Sequence, residues 1–262
     1  MIKLNSISFG EQHSTTPLIV LHGLLGSASN WRLLAKQWGE YRPVHALDLR
    51  NHGQSPHTDS MSYHEMADDI RWFMDEHKIE RTHLLGHSMG GKVAMQFAMD
   101  FATRLDHLII ADIAPKQYPR SHDAVFAALQ RIAAMNILSR QQADDAIRDL
   151  IPDLSTRQFL LTNLVRTEQD DYRWRVNVTV IQNSYEQNIL AVPDFAAKQT
   201  FTGATLFIGG GDSPYIQTND HALIKRYFPQ AEITMIPNAG HWLHVDQTAL
   251  FDQQVRDFLA DH

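Results

Sequence analysis

Short apolar runs of strand length alternate with amphipathic stretches of helical length along most of this 262-residue chain. That alternation narrows the fold more than any other feature. Residues 17–23 (PLIVLHG), 43–49 (PVHALDL), 82–85 (THLL), 107–113 (HLIIADI), 204–208 (ATLFI) and 232–236 (EITMI) are mostly apolar on both alternating faces. Such runs suit strands covered on both sides. Residues 29–38, 62–77, 215–227 and 246–259 read as helices, and in the second of these Met66, Ile70, Phe73 and Met74 fall on one side. Buried strands separated by helices need crossover connections, so the pattern predicts an α/β fold with a mostly parallel, doubly wound sheet.

The alternation stops after Pro115. Residues 116–199 are of mixed polarity and mainly helical in pattern, with helices predicted over 123–135 and 141–150 and breaks at Pro152 and Pro193. The expected organisation is one core, residues 1–115 and 200–262, with a helical cap, residues 116–199, inserted after the sixth strand. Insertions at the carboxyl ends of parallel strands lie where such sheets bind ligands. An oligomerisation appendage is the competing reading.

Composition excludes several classes of function. A formal net charge of −7 without a basic run argues against a nucleic-acid partner and fits a small neutral molecule better. There are no cysteines, which rules out disulfides, thiolate catalysis and cysteine metal sites. The N-terminus starts strand-like and lacks the apolar core of a signal peptide, and no run approaches the ~20 apolar residues of a membrane span. A cytoplasmic location without membrane association is the resulting expectation.

Within that framework, residues 82–85 run directly into Gly86-His87-Ser88-Met89-Gly90, and helical sequence follows at 92–99. Strand, sharp turn and helix are the setting in which Gly-x-Ser-x-Gly works as a nucleophile elbow. The glycines leave room for the serine to project above the sheet, and the helix start points free N–H groups toward it. Ser88 is therefore the candidate nucleophile. It needs a base, a group to orient that base, and donors for an oxyanion.

Of 15 histidines, His241 lies in a loop directly after the last predicted strand, where Asn238-Ala239-Gly240 supplies a turn. It is the candidate base. His244 invites a metal reading through H-x-x-H, but it has no third ligand nearby and no zincin glutamate, so a packing role is expected and no metal. His22, in LHGLLG, ends an early strand and is expected to tie down its loop. The N–H groups of Leu24 and Met89 are the expected oxyanion donors. His87 is assigned to packing, pointed away by strand alternation, and Asp48 to fixing the following RNHG loop.

Six segments, in this order, resemble the YbfF-type esterases of the α/β-hydrolase superfamily: HGLLGSASNW (22–31), DLRNHGQSP (48–56), GHSMGGK (86–92), DIAP (112–115), GGGDSPY (209–215) and NAGHWLH (238–244). The resemblance spans almost the whole chain and is weakest in residues 116–199. It implies a serine esterase acting on small acyl esters or thioesters, with a helical cap over the site and no cofactor. Two aspartates compete to orient His241. Asp212 holds the Gly-x-x-Asp position that most α/β-hydrolases use, whereas the resembled family carries the acid at the position matching Asp112 and often asparagine at the one matching Asp212. This chain has both, which favours Asp112 with Asp212 as the alternative.

The combined reading is acyl transfer from a small ester or thioester through a Ser-His-Asp triad and an acyl-enzyme. Phe126, Leu129, Phe159, Leu160, Leu164 and Trp174 are candidates for an acyl pocket in the cap. A carbon–carbon bond hydrolase or lyase would use the same triad, and a ligand-binding receptor with slow turnover is the rival from another class. A haloalkane dehalogenase or epoxide hydrolase would carry aspartate in place of Ser88. Oligomeric state is not legible in the sequence.

Overall fold

The computed structural model describes residues 1–195 and 200–260. The last four positions of the expected insertion, 196–199, lie outside the described residues. In chain order the core begins with β1 (Ser6–Phe9), β2 (Leu18–Leu21), α1 (Arg32–Trp38), β3 (Val44–Leu47), α2 (Tyr63–Glu76), β4 (Thr82–His87), α3 (Met89–Asp100) and β5 (Leu105–Ala111). Helices α4 (Asp123–Ala133), α5 (Arg140–Ile147) and α6 (Leu154–Leu161) follow, then β6 (Leu164–Arg166), β7 (Tyr172–Trp174), α7 (Val178–Asn183) and a π-helical turn (Tyr185–Ile189). The chain returns to the core with β8 (Ala204–Gly210), α8 (His221–Tyr227), β9 (Ala231–Ile236), α9 (Leu243–Asp246) and α10 (Thr248–Ala260).

Seven strands form one sheet in the order β1-β3-β2-β4-β5-β8-β9, parallel except for β1, which pairs antiparallel with β3 at the edge. This is the α/β fold that the alternation predicted. Strands β2, β3 and β4 are buried along their whole length, and consecutive residues serve opposite faces. Leu18 and Val20 pack on the side of α1 and α10, while Ile19 and Leu21 pack with α2 and α3. Two apolar layers, one on each face, hold the sheet between them.

The segment leaving the sheet departs after β5, the fifth strand in chain order rather than the sixth. It is also not wholly helical: β6 and β7 pair antiparallel as a small separate sheet. Its apolar core, including Phe126, Leu129 and Leu164, is continuous with the layer on the α2 and α3 side. Among the described residues, no helix is long and apolar enough to cross a membrane.

Candidate active site

The turn between β4 and α3 carries Ser88 at φ 54° and ψ −119°, a conformation that L-residues avoid and that persists only where its surroundings enforce it. The enforcement is visible. Ser88 N–H donates to the Ala111 carbonyl of the neighbouring strand at 2.9 Å, and α3 starts at the next residue. The two flanking glycines are sterically required. A Cβ on Gly86 would stand 2.1 Å from the Gly90 carbonyl oxygen, and one on Gly90 would stand 2.5 Å from that of His22. Strand, helix and the preceding loop therefore close to backbone contact and push the Ser88 side chain outward.

His241 comes from the loop after β9. Its Nε2 lies 3.0 Å from Ser88 Oγ and its Nδ1 2.7 Å from Asp112 Oδ2. Asp112, directly after β5, is fully buried and sits at φ 51°. Its carboxylate also accepts the Gly210 N–H at 3.1 Å and the Ser213 hydroxyl, so both oxygens are engaged. With Nδ1–H donating to the carboxylate, the Nε2 lone pair faces the serine hydroxyl. Asp212 is not brought to His241: it is exposed, and its N–H donates to the Ala239 carbonyl at 2.9 Å, pinning the β8 loop to the loop that carries the histidine.

On the other side of Ser88, the N–H groups of Leu24 and Met89 have no acceptor among the described residues. The loop bearing Leu24 is held by two buried histidines. His22 donates from Nδ1 to the Gly23 carbonyl and accepts the Leu49 N–H at Nε2. His52 donates from Nδ1 to the Arg50 carbonyl and accepts the Leu25 N–H at Nε2. Burial pushes both below the ordinary histidine range, His52 to about 3, which keeps each ring neutral and each Nε2 an acceptor. Asp48 accepts the N–H groups of Ala28 and Gln54 and the Asn5 side chain, bracing the same loops.

A cavity of about 730 Å³ opens above Ser88, walled by the core loops and by the segment between β5 and β8. The α/β-hydrolase fold family matches this chain over residues 16–248. Esterase YbfF of Escherichia coli is 34% identical, over 96% of this chain and 96% of its own. The chain belongs to the YbfF-type esterases of the α/β-hydrolase family. It is accordingly a carboxylic ester hydrolase. The sn-1-specific diacylglycerol lipase ABHD11 of Danio rerio is 38% identical over 96% of this chain and 80% of its own. A solved marine microorganism esterase superposes with a TM-score of 0.92 at 36% identity, covering 98% of this chain and all of its own.

In this α/β-hydrolase the six candidate pocket residues divide. Phe159 and Leu160 line the cavity, with Trp242 packed against Phe159 at a ring separation of 5.4 Å. Phe126, Leu129, Leu164 and Trp174 do not line it. Phe126 packs edge-on to Tyr185, Trp174 donates to the Leu129 carbonyl, and Leu129 and Leu164 are buried in the segment's own core. His87 also departs from expectation. It faces the histidine loop, its Nε2 2.7 Å from the His241 carbonyl oxygen, and it lines the cavity. His244 is buried and stacks on Trp31 at 4.4 Å. Among the described residues, no three histidine, aspartate or glutamate side chains cluster as a metal site would require.

Two lining residues, Lys92 and Tyr215, escaped the sequence reading, and only a spatial signal finds them. His22 ties down its loop as expected, and His52, from a loop that follows a different strand, acts with it. Lys92, one turn into α3, is buried and donates to the carbonyls of Leu190 and Ala191 at 3.0 and 2.6 Å, clamping the segment's exit to the serine-bearing helix. Burial pulls its ammonium down to about 7. Tyr215 lies flat on the His241 ring.

Proposed function

We propose that the protein is a serine carboxylesterase that hydrolyses short to medium acyl esters or thioesters through an acyl-enzyme, with residues 116–199 acting as a cap over the site. The single observation that carries this reading is the unbroken hydrogen-bonded path from Ser88 through His241 to Asp112 at the floor of a largely apolar cavity.

Ser88 Oγ attacks the ester carbonyl as His241 Nε2 takes its proton. The Asp112 carboxylate holds the imidazole in the required tautomer and stabilises the imidazolium. Oxygen charge in the tetrahedral intermediate falls to the N–H groups of Leu24 and Met89, which need no reorganisation to receive it. The imidazolium then protonates the departing alcohol or thiol. Water, deprotonated by His241, attacks the acyl-Ser88 ester, and collapse of the second intermediate releases the acid and restores the serine.

The cavity supports the substrate class. Phe159, Leu160, Val125 and Leu190 offer an acyl chain an apolar wall, while the volume is within the range of pockets that enclose small ligands. The lipase names of the ABHD11 relatives bring acylglycerols into the same ester class. A panel of p-nitrophenyl, acylglycerol and acyl-CoA esters of graded chain length, run on the native protein and on Ser88→Ala, tests the reading. The native protein should turn over the shorter members and form one fluorophosphonate adduct, at Ser88. Comparable turnover by Ser88→Ala would overturn the nucleophile assignment.

A further inference from the structure

We propose that Tyr215 is a positioning residue for the histidine base, its ring face stabilising the imidazolium that forms when Ser88 gives up its proton. The proposal rests on the reading of His241 as that base.

The two rings lie 3.9 Å apart between centroids and only 16° from parallel. That is closer than the ~4.5–7 Å at which ordinary aromatic pairs sit, and it sets the negative face of the phenol ring against the imidazole. A ring face in that position favours the protonated partner. The neighbouring charges are compatible with this role. Asp112 approaches Nδ1 and Ser88 approaches Nε2. Three further titratable neighbours, His87 and His244 from the core and His122 from the inserted segment, are each pushed down by burial, His244 to about 3, so they meet His241 uncharged at neutral pH. The Asp246 carboxylate accepts the Gly240 N–H at 2.8 Å, one residue before His241.

Tyr215 is held in place from both ends. Its N–H donates to Ser213 Oγ at 3.3 Å, and that hydroxyl donates to Asp112 Oδ2, the oxygen that accepts the His241 Nδ1–H. Its carbonyl accepts the Tyr118 hydroxyl at 2.6 Å, and the Tyr118 oxygen in turn accepts the Ala114 N–H at 2.9 Å. Tyr118 lies early in the inserted segment and donates its own N–H to the Leu190 carbonyl at that segment's exit. The ring on His241 is thus braced jointly by the acid loop and by the segment above the cavity.

The test compares Tyr215→Phe, Tyr215→Leu and the unbranched Tyr215→Met with native protein and His241→Gln, measuring kcat and KM from pH 5 to 9 on an ester that the native protein hydrolyses. Loss of the ring face should lower kcat about 10-fold in the Leu and Met variants, leave KM nearly unchanged and move the acid limb of kcat/KM about 1 pH lower. Tyr215→Phe keeps the face and should restore native values. A native kcat in the folded Leu or Met variant overturns the proposal. So does a loss confined to KM with an unmoved limb, which would make Tyr215 a pocket wall, or a Phe variant as poor as Leu. If His241→Gln itself retains turnover, the base assignment fails instead, so the two failures are distinguishable.

Discussion

Ser88 and Asp112 stand at equivalent places, each one residue beyond one of two neighbouring parallel strands. His87 pairs with Ala111 at the end of the β4–β5 register, and both following residues turn into the left-handed region, at φ 54° and 51°. The Ser88 N–H donates to the Ala111 carbonyl, and the Asp112 N–H to that of Ile208 on β8, one strand further across. The same backbone device, used twice, lifts a hydroxyl and a carboxylate above the sheet at the spacing one imidazole can bridge. Asparagine tolerates this conformation, so Asp112→Asn should fold normally. It removes the charge that supports the imidazolium, and kcat should fall by up to ~10⁴. Asp212→Asn, on the exposed side of the next loop, should keep most of its activity. Steady-state kinetics of the two variants decide the matter, and an inactive Asp212→Asn beside an active Asp112→Asn would reverse the assignment.

At Gly86 the helix and strand backbones approach too closely for any side chain, because a Cβ would stand 2.1 Å from the Gly90 carbonyl oxygen. Gly86→Ala must push α3 away from β4, and overpacking of this kind costs ~1–3 kcal/mol or more. Thermal melting should show a drop of several degrees together with lost activity, whereas an unchanged Tm with full activity would contradict the close packing.

Acid should destabilise the fold through its buried histidines. Burial holds His52 and His244 at about 3. Both therefore contribute full stability above the unfolded value of ~6.5, and that stability is lost as pH falls from there toward 3, each histidine removing about 1.4 kcal/mol per pH unit. His244 Nδ1 has no hydrogen-bond partner among the described residues, so His244→Phe can keep the stack on Trp31 without losing a hydrogen bond at that atom. Between pH 6.5 and 5, above the main carboxylate range, denaturation measurements should show a shallower pH slope for His244→Phe than for native protein. An identical slope would assign the acid sensitivity elsewhere.

Chain-length preference should follow the cavity wall and ignore the segment's own core. Phe159→Ala enlarges the cavity and should shift the best substrate to longer acyl chains, by roughly 10-fold or less per methylene. Leu129→Ala and Leu164→Ala, buried away from the cavity, should lower stability by ~2–5 kcal/mol and leave the ranking of esters unchanged. Ester-panel kinetics set beside melting curves separate these outcomes, and a shifted ranking in Leu129→Ala would place that residue against the ligand.

The strand alternation, the glycine-flanked serine after β4 and the histidine loop after β9 are all local patterns. Apolar spacing and turn chemistry act over a few residues, so the sequence alone determined the α/β sheet and the placement of Ser88 and His241 at strand ends. Two three-residue strands, β6 and β7, were too short to leave a period. Asp112 and Asp212 each close a predicted strand, and nothing in their local sequence says which carboxylate turns inward. The tertiary structure decided it, because the Gly210 N–H and the Ser213 hydroxyl from another strand's loop gather around Asp112. The apolar residues of the inserted segment show the same limit. Periodicity marks Phe126 and Leu129 as facing something apolar, but a helix above a cavity has both a protein core and a ligand space to face. Only packing between residues far apart in the chain distinguishes them, as it alone brings the Tyr215 ring onto His241.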